Sequence, residues 1–277
     1  MLIKTLVIVS LSAISLFLLF FLIYLFLISP GKKRAEMDRY KRVKYAHRGL
    51  HNELRPENSL SAFSAAVEAG YGIELDVRLS RDGELVVFHD DTLDRMTCES
   101  GRVDERDFSE LSKIKLNGSS DTIPAFRAVL EIVSGRVPLL VEIKEDAGKY
   151  GVTEKTLEVL SSYKGEYIIE SFNPLALGRV KKKAPRVMRG HLSQNFLSEK
   201  KYRSFIYFLL QNLLLNVICR PDFIAYRHTD WKNAPLRMIR GIFNTPTLAF
   251  TVRSKEEEAL AYEHGFDGVI FEGYIPD

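Results

Sequence analysis

Beyond position 42 the chain alternates short runs rich in Val, Ile and Phe with segments whose apolar residues recur at helical spacing. The runs predict strands at Val43–His47, Ile73–Arg78, Leu85–His89, Pro138–Ile143, Tyr167–Ser171, Val187–His191, Phe223–Tyr226, Thr247–Thr251 and Gly268–Phe271. Between them, Ser59 to Ala69 carries Leu60, Phe63, Ala66 and Val67 on one helical stripe and closes at Gly70. Phe126–Val133, Glu154–Ser161, Ala234–Phe243 and Lys255–His264 read the same way. Strand-then-helix repetition over this length predicts a parallel sheet, and eight such units predict an α/β fold of the (β/α)₈ TIM-barrel type. The ninth run has its own explanation. Between Asp76 and His89 there is no room for a crossover helix, whereas Asp82-Gly83 is a hairpin signal. Leu85–His89 is therefore expected to return as a hairpin insertion after the second strand, with Arg81 opposite Glu84 and Asp76 opposite His89.

The amino terminus has a different pattern. From Leu6 to Ile28 no charged residue interrupts a Leu/Ile/Phe/Val run, more than the roughly 20 apolar residues that cross a bilayer. The run is too long for the core of a cleavable signal and ends in Ser29-Pro30-Gly31. An uncleaved N-terminal transmembrane helix follows as the expectation, with residues 1–30 as anchor, 31–42 as a basic juxtamembrane linker and 43–277 as the barrel. Only Lys4 and the amino terminus precede the span, while Lys32, Lys33, Arg34, Arg39, Lys41, Arg42 and Lys44 follow it. The positive-inside rule then places the barrel on the cytoplasmic side of a single-pass protein. The same cluster also suits contact with anionic headgroups.

Phe205–Ile218 (FIYFLLQNLLLNVI) is apolar almost all round but short for a span. A helix buried against the barrel is the expectation, with an interfacial helix as the alternative. Composition, with 46% hydrophobic and 27% charged residues, is that of a globular protein able to bury a core. A net charge of +3 gives no reason to expect a nucleic-acid partner. Cys98 and Cys219 match no metal or redox spacing and read as two free thiols. Trp231, the only tryptophan, follows a strand and reads as packing at least as readily as site lining.

Barrel enzymes place their chemistry at the carboxyl ends of the strands. Those ends here carry His47-Arg48, then Glu74 and Asp76, then Glu142 and Lys144, and the hairpin returns His89 to the same rim. Residues two apart in a strand project from one face, so Glu74, Asp76 and Glu142 would meet across the barrel interior. Three carboxylates so close require protonation or a cation. All-oxygen donors favour Mg2+ or Ca2+ over zinc. His47 and His89 titrate near neutrality and suit a pair in which one accepts and one donates a proton. Arg48 and Lys144 suit an anionic group. Taken singly, each of these residues is more ordinarily a structural cap or ion pair, as His51, His191, His228 and His264 are expected to be. The combination describes phosphoryl-ester hydrolysis.

In order and spacing, AHRG at Ala46–Gly49, PENSLSAFSAA at Pro56–Ala66, ELDVRLSRDGELVVFHDDTLDRMT at Glu74–Thr97 and VEIK at Val141–Lys144 resemble the glycerophosphodiester phosphodiesterase family. The resemblance runs over Val43–Pro276 and is concentrated in the first half. It implies a (β/α)₈ barrel with a small insertion between its second and third strands. It further implies His47 and His89 as the acid–base pair, Glu74, Asp76 and Glu142 as metal ligands, and Arg48 and Lys144 as phosphate contacts. Glu57 or Asn58 would at most support the site. The implied reaction is metal-dependent hydrolysis of a glycerophosphodiester to glycerol 3-phosphate and an alcohol. The second half departs from the family pattern. Phe250-Thr251-Val252-Arg253 stands in place of a Trp-Thr-Val-Asn run, and Phe271-Glu272-Gly273 in place of a Thr-Asp. Those positions are expected to shape the alcohol side of the pocket.

Two further readings compete. Tethering and the apolar Phe205–Ile218 segment favour a lysophospholipid substrate and a lysophospholipase D. A non-catalytic membrane scaffold is the remote alternative, against which stands the completeness of the site. A metal-independent, phospholipase C-like barrel also uses two histidines, but the three carboxylates argue against it.

Overall fold

Nine strands form one sheet that closes on itself in the computed structural model, which describes residues 2–31, 34–146, 148 and 150–276. Lys32, Lys33 and the side chain of Arg34, three of the basic positions counted above, lie outside the described residues, as does Asp277. The first half contains α1 (Leu2–Ile28), β1 (Lys44–Ala46), α2 (Leu60–Glu68), β2 (Gly72–Leu79), β3 (Leu85–Val87), α3 (Phe108–Leu111), α4 (Phe126–Val133), β4 (Leu139–Ile143) and α5 (Val152–Leu160). There follow β5 (Tyr167–Ser171), α6 (Pro174–Lys183), β6 (Arg189–Ser193), α7 (Phe205–Gln211), α8 (Asn216–Cys219) and β7 (Phe223–Arg227). The chain ends with α9 (Ala234–Phe243), β8 (Thr247–Val252), α10 (Lys255–Glu263) and β9 (Gly268–Phe271). Strands β1-β2-β4-β5-β6-β7-β8-β9 pair in parallel, and β1–β9 pairing completes an eight-stranded barrel.

Period-two alternation explains how each strand serves two environments. Ile73, Leu75, Val77, Leu139, Val141, Ile143 and Ile169 face outward and form one buried cluster with α2, α4 and α6. The alternate positions face the axis. At the amino-terminal end of the barrel Tyr45, Leu140, Ile168, Phe223, Leu248 and Ile270 fill the interior, closed below by Met37 and Tyr40. The Leu, Ile and Phe side chains among them each contribute about 1.5–3 kcal/mol on burial. One level higher the inward residues are Glu74, Asp76, Glu142 and Glu170, with Asp76 in register with Glu142 and Glu142 with Glu170. An apolar floor thus carries a carboxylate layer.

Strand β3 is the antiparallel hairpin arm, but its register is one residue from the expected one. Val77 faces Val87 and Leu79 faces Leu85, and Phe88 N rather than His89 N donates to Asp76 O at 3.0 Å. The loop holds three residues instead of two: Ser80 pairs with Glu84, and Gly83 takes a φ of 80° that closes the turn. The insertion is also larger than a hairpin. Val86, Phe88, Leu93, Met96, Leu111 and Ile123 bury a separate small core within it.

Two other expectations need correction. Phe205–Ile218 is not one buried helix: α7 and α8 are separated at Leu213, whose φ is 56°, and no residue of α7 is buried. Strand β6 starts at Arg189, two residues later than predicted, and runs to Ser193, whose hydroxyl donates to Leu210 O. Helix α1 is long and apolar enough to cross a membrane over Ile3–Ile28. Its last turn is seated on the barrel: Ile28 is buried with Leu213 and Ile224, and its carbonyl accepts from Asn216 Nδ2 at 3.0 Å.

Candidate active site

The rim begins where β1 ends. Arg48 and Gly49 take φ values of 57° and 82°, which turn the chain sharply and leave His47 and the Arg48 side chain over the barrel mouth. Gly49 has to be glycine, because a Cβ there would lie 2.9 Å from the Ala62 backbone. The chain then passes Pro56-Glu57-Asn58 and enters α2, capped by Ser59, whose hydroxyl accepts from Ala62 N. This passage does more than start a helix. Asn58 Nδ2 donates to Asp76 Oδ2 at 2.8 Å, and Arg48 donates to Glu57 Oε1 at 2.7 Å.

Glu74, Asp76 and Glu142 each offer an oxygen within 4.8 Å of the others, and all three are buried. Two cations border them. Lys144 Nζ lies 2.8 Å from Glu142 Oε1 and 3.1 Å from Asp76 Oδ1, while Arg48 Nε lies 3.5 Å from Asp76 Oδ2 and its backbone N–H donates to Glu74 Oε2 at 2.9 Å. Charge is shared unevenly. Burial raises Asp76, but Lys144, His89, Arg48 and the Asn58 amide outweigh it and hold its carboxyl well below the usual range. Burial and the neighbouring Asp76 and Glu142 drive Glu74 well above it. Burial, with Asp76 adding and Lys144 opposing, lifts Glu142 to about 7. Glu170, raised by burial and by Glu142, is a fourth carboxyl on the same layer. Glu74 Oε1 is buried without a hydrogen-bond partner. A buried all-oxygen cluster that resists full ionisation and keeps an orphaned acceptor fits a hard divalent cation.

The two histidines are built alike. His47 Nδ1 lies 2.5 Å from Glu272 Oε2, and His89 Nδ1 lies 2.6 Å from Asp90 Oδ1. Burial raises Glu272, but its hydrogen bonds to His47 and His51 dominate and keep it ionised. Burial likewise raises Asp90, and Arg95 and His89 overcome it. Both carboxylates therefore accept, each Nδ1 donates, and each Nε2 is left as the free base. His47 Nε2 is 3.9 Å from Glu74 Oε2. Burial lowers both imidazoles, His89 to about 4, so each is neutral at pH 7. Arg95 ties the arrangement together, bonding Asp90 at 2.5 Å and Glu57 at 2.6 Å.

All seven residues singled out from the sequence converge on this mouth. Three partners were not assigned roles. Glu272, noted in the sequence as a departure from the family pattern, hydrogen-bonds His47 Nδ1. Glu170 repeats the strand-end carboxylate pattern of Glu142 in Ile169-Glu170-Ser171 and was legible by the same alternation. Asp90 follows His89 directly but carries no periodic signal. Trp231 is elsewhere, stacked on His264 with ring centroids 3.9 Å apart. His191 is buried against Asn216, and Cys98 and Cys219 are free thiols, as expected.

Comparison with known proteins gives concordant results. The model of the glycerophosphoryl diester phosphodiesterase family matches residues 47–273. A glycerophosphodiester phosphodiesterase of Caldanaerobacter subterraneus is 38% identical over 170 residues, covering 57% of this chain and 70% of that protein. One from Bacillus subtilis is 26% identical, covering 95% of this chain and 93% of the relative. Among solved structures, a phosphodiesterase of Oleispira antarctica in complex with the product sn-glycerol-3-phosphate superposes with a TM-score of 0.71 at 24% identity, covering 84% of this chain and 94% of that one. A glycerophosphodiester phosphodiesterase from Thermotoga maritima does so with 0.63 at 26% identity, covering 83% and 94%.

Proposed function

The chain belongs to the glycerophosphoryl diester phosphodiesterase family, and from that premise we propose that it hydrolyses glycerophosphodiesters to glycerol 3-phosphate and an alcohol at a metal-dependent, membrane-anchored site. The observation that carries this reading is the juxtaposition at one barrel mouth of a buried three-carboxylate cluster and two imidazoles with free Nε2 atoms. Glu74, Asp76 and Glu142 are the residues that would hold Mg2+ or Ca2+. Such an ion, when bound, supplies a Lewis acid that offsets charge on the phosphoryl oxygens. Arg48 and Lys144 border the same cluster, so an oxyanion seated over it meets both cations and is held by charge-assisted hydrogen bonds. One imidazole Nε2 takes the proton of the attacking water as its oxygen bonds to phosphorus. The proton so taken passes through the histidine pair to the alcohol oxygen as the phosphorus–oxygen bond breaks, which restores both rings to the neutral form. Glu272 and Asp90 stabilise whichever ring is cationic.

We further propose the division into an anchor (1–30), a basic linker (31–42) and a catalytic barrel (43–277). Arg39, Lys41, Arg42 and Lys44 after α1, against Lys4 before it, support a cytoplasmic barrel. Protease treatment of intact cells bearing a C-terminal tag tests this; loss of the tag from outside refutes it.

The function is tested with purified full-length protein and glycerophosphocholine, glycerophosphoethanolamine and glycerophosphoglycerol, each with EDTA, Mg2+ or Ca2+. Glycerol 3-phosphate released only with metal supports the reading, and release unaffected by EDTA removes the metal from it.

A further inference from the structure

Helix α1 and the barrel mouth lie on the same side of the molecule. The chain after α1 is fixed at the foot of β7, where Gly31 N donates to Pro221 O at 2.8 Å and Ile28 O accepts from Asn216 Nδ2. One turn earlier, Tyr24 packs against the cluster that holds Tyr226, near the carboxyl end of β7, and stands within electrostatic reach of its phenol. The last turns of α1 therefore run antiparallel to β7, and the rest of the helix leaves the barrel on the side of the mouth. From Ile3 to Phe20 every residue is exposed. At helical rise that stretch is about 27 Å long, close to the roughly 30 Å of a bilayer's hydrocarbon core. With it across a membrane, the loops around the mouth reach the headgroup layer.

One of those loops has the chemistry of such a layer. Between β6 and α8 the chain reads EKKYRSFIYFLL from Glu199 to Leu210. Lys200, Lys201 and Arg203 are exposed, and α7 leaves Phe205, Ile206 and Phe208 exposed at 73%, 46% and 42%. The Phe205 and Phe208 rings stack with centroids 5.9 Å apart, so the apolar side chains form one face and are not scattered. Three cations directly before that face complement an anionic leaflet, with the rings entering the boundary between headgroups and acyl chains. The far end of α7 is tied to α1: Gln211 O accepts from Tyr226 Oη at 3.3 Å, and Leu213 is buried with Ile28.

We propose that Lys200–Phe208 is a second membrane-docking element: Phe205, Ile206 and Phe208 insert into the leaflet at which α1 emerges, while Lys200, Lys201 and Arg203 meet its anionic headgroups. A single helix leaves the barrel free to pivot, whereas attachment at α1 and α7 together fixes its tilt with the mouth turned to the leaflet. The proposal is independent of the phosphodiesterase reading and rests on α1 as a membrane span.

The test uses the full chain, one copy per nanodisc of phosphatidylcholine and phosphatidylglycerol, with the exposed Cys98 replaced by Ser and the buried Cys219 kept. A nitroxide is attached through Ser204→Cys beside Phe205, through Leu11→Cys in α1, or through Lys164→Cys in the exposed α5–β5 loop at the opposite end of the barrel. Collisions with oxygen and with a water-soluble nickel chelate are measured by EPR saturation. The label at position 11 is expected to be shielded from nickel and the label at 164 open to it. The label at 204 is expected to be at least about threefold less accessible to nickel than the one at 164, with the difference shrinking in pure phosphatidylcholine. Phe205→Asp combined with Phe208→Asp replaces two exposed side chains, so the fold tolerates the charges. The pair is expected to open the label at 204 and leave the label at 11 unchanged. A label at 204 as open as the one at 164, or shielded but insensitive to the paired substitution, overturns the docking while a shielded position 11 leaves the anchor intact. Shielding at 204 that appears only with two copies per disc assigns the face to a second copy and overturns the proposal. Position 11 open to nickel overturns both docking and anchor.

Discussion

Replacing Glu272 by Gln removes one negative charge and almost no volume, and so isolates what that charge does for His47. The pair is 2.5 Å apart and the Glu272 side chain is only 19% exposed, so solvent does little to weaken it. A hydrogen bond to a charged group contributes about 1.5–3 kcal/mol and a neutral one about 0.5–1.5. Replacing the first by the second therefore costs about 1–2 kcal/mol, and it does so mainly when His47 carries a proton, that is, in the transition state. At 1.36 kcal/mol per decade this is a loss of about five- to thirtyfold. Because the cost falls on a protonation state and not on substrate binding, kcat is expected to drop with KM nearly unchanged. The His47 pKa measured by NMR is expected to fall. Arg253 also bonds Glu272, at 2.7 Å, but its side chain is 60% exposed, so Arg253→Ala is expected to change kcat less than threefold. Glu272→Gln with kcat within twofold of wild type, or with the whole effect in KM, would refute the positioning of His47 by this carboxylate.

Other perturbations follow from the same geometry. Glu142→Gln removes a carboxylate from a cluster whose members repel one another, so the metal-free melting temperature is expected to hold or rise. The gain in melting temperature on adding Mg2+ or Ca2+ is expected to shrink, with affinity lower by at least about tenfold; unchanged metal-dependent stabilisation argues against this ligand. Burial holds the His191 imidazole down at about 4, against an ordinary 6.5, so between those values the unfolded chain binds the extra proton. Stability is then full above pH 6.5 and is lost as pH falls towards 4, by up to roughly 3 kcal/mol. Melting curves across this range should be flatter for His191→Gln than for wild type, and identical slopes contradict the assignment. Gly49→Ala sets a Cβ against Ala62 and Phe63 at a φ of 82°. It is expected to cost about 1–3 kcal/mol in a denaturation assay and to reduce turnover by shifting His47; a neutral effect on both is the contrary outcome.

The barrel was legible in the sequence because its strands announce themselves by period. Tyr167–Ser171 and Gly268–Phe271 begin and end where the Val/Ile/Phe runs do. The inward carboxylates were legible for the same reason: Glu74 and Asp76 interrupt an apolar strand at alternate positions, as Glu142 does with Val141 and Ile143 on either side. What escaped has tertiary causes. The one-residue hairpin shift comes from the Gly83 backbone and the Ser80–Glu84 closure, which two- and three-residue loops share as sequence. The break at Leu213 carries neither Gly nor Pro, and it is fixed by the seat that Leu213 finds against α1. Strand β6 extends to Ser193 because its backbone goes on pairing with β7 up to Tyr226, and the Ser193 hydroxyl finds Leu210 O 17 residues away. Glu272 stood out in the sequence as a departure from the family pattern, yet its task became evident only when β9 was placed beside β1.

The central claim is that His47, His89 and the Glu74–Asp76–Glu142 cluster form one hydrolytic site. The most direct measurement is phosphorus NMR of glycerophosphoethanolamine incubated in water enriched in oxygen-18 with saturating Mg2+ or Ca2+, comparing the full-length protein with His89→Ala. The wild type is expected to yield glycerol 3-phosphate bearing one solvent oxygen on phosphorus, and the variant is expected to lose at least about a hundredfold in rate. Product formed by His89→Ala at an undiminished rate, or product without solvent oxygen on phosphorus, would contradict the account.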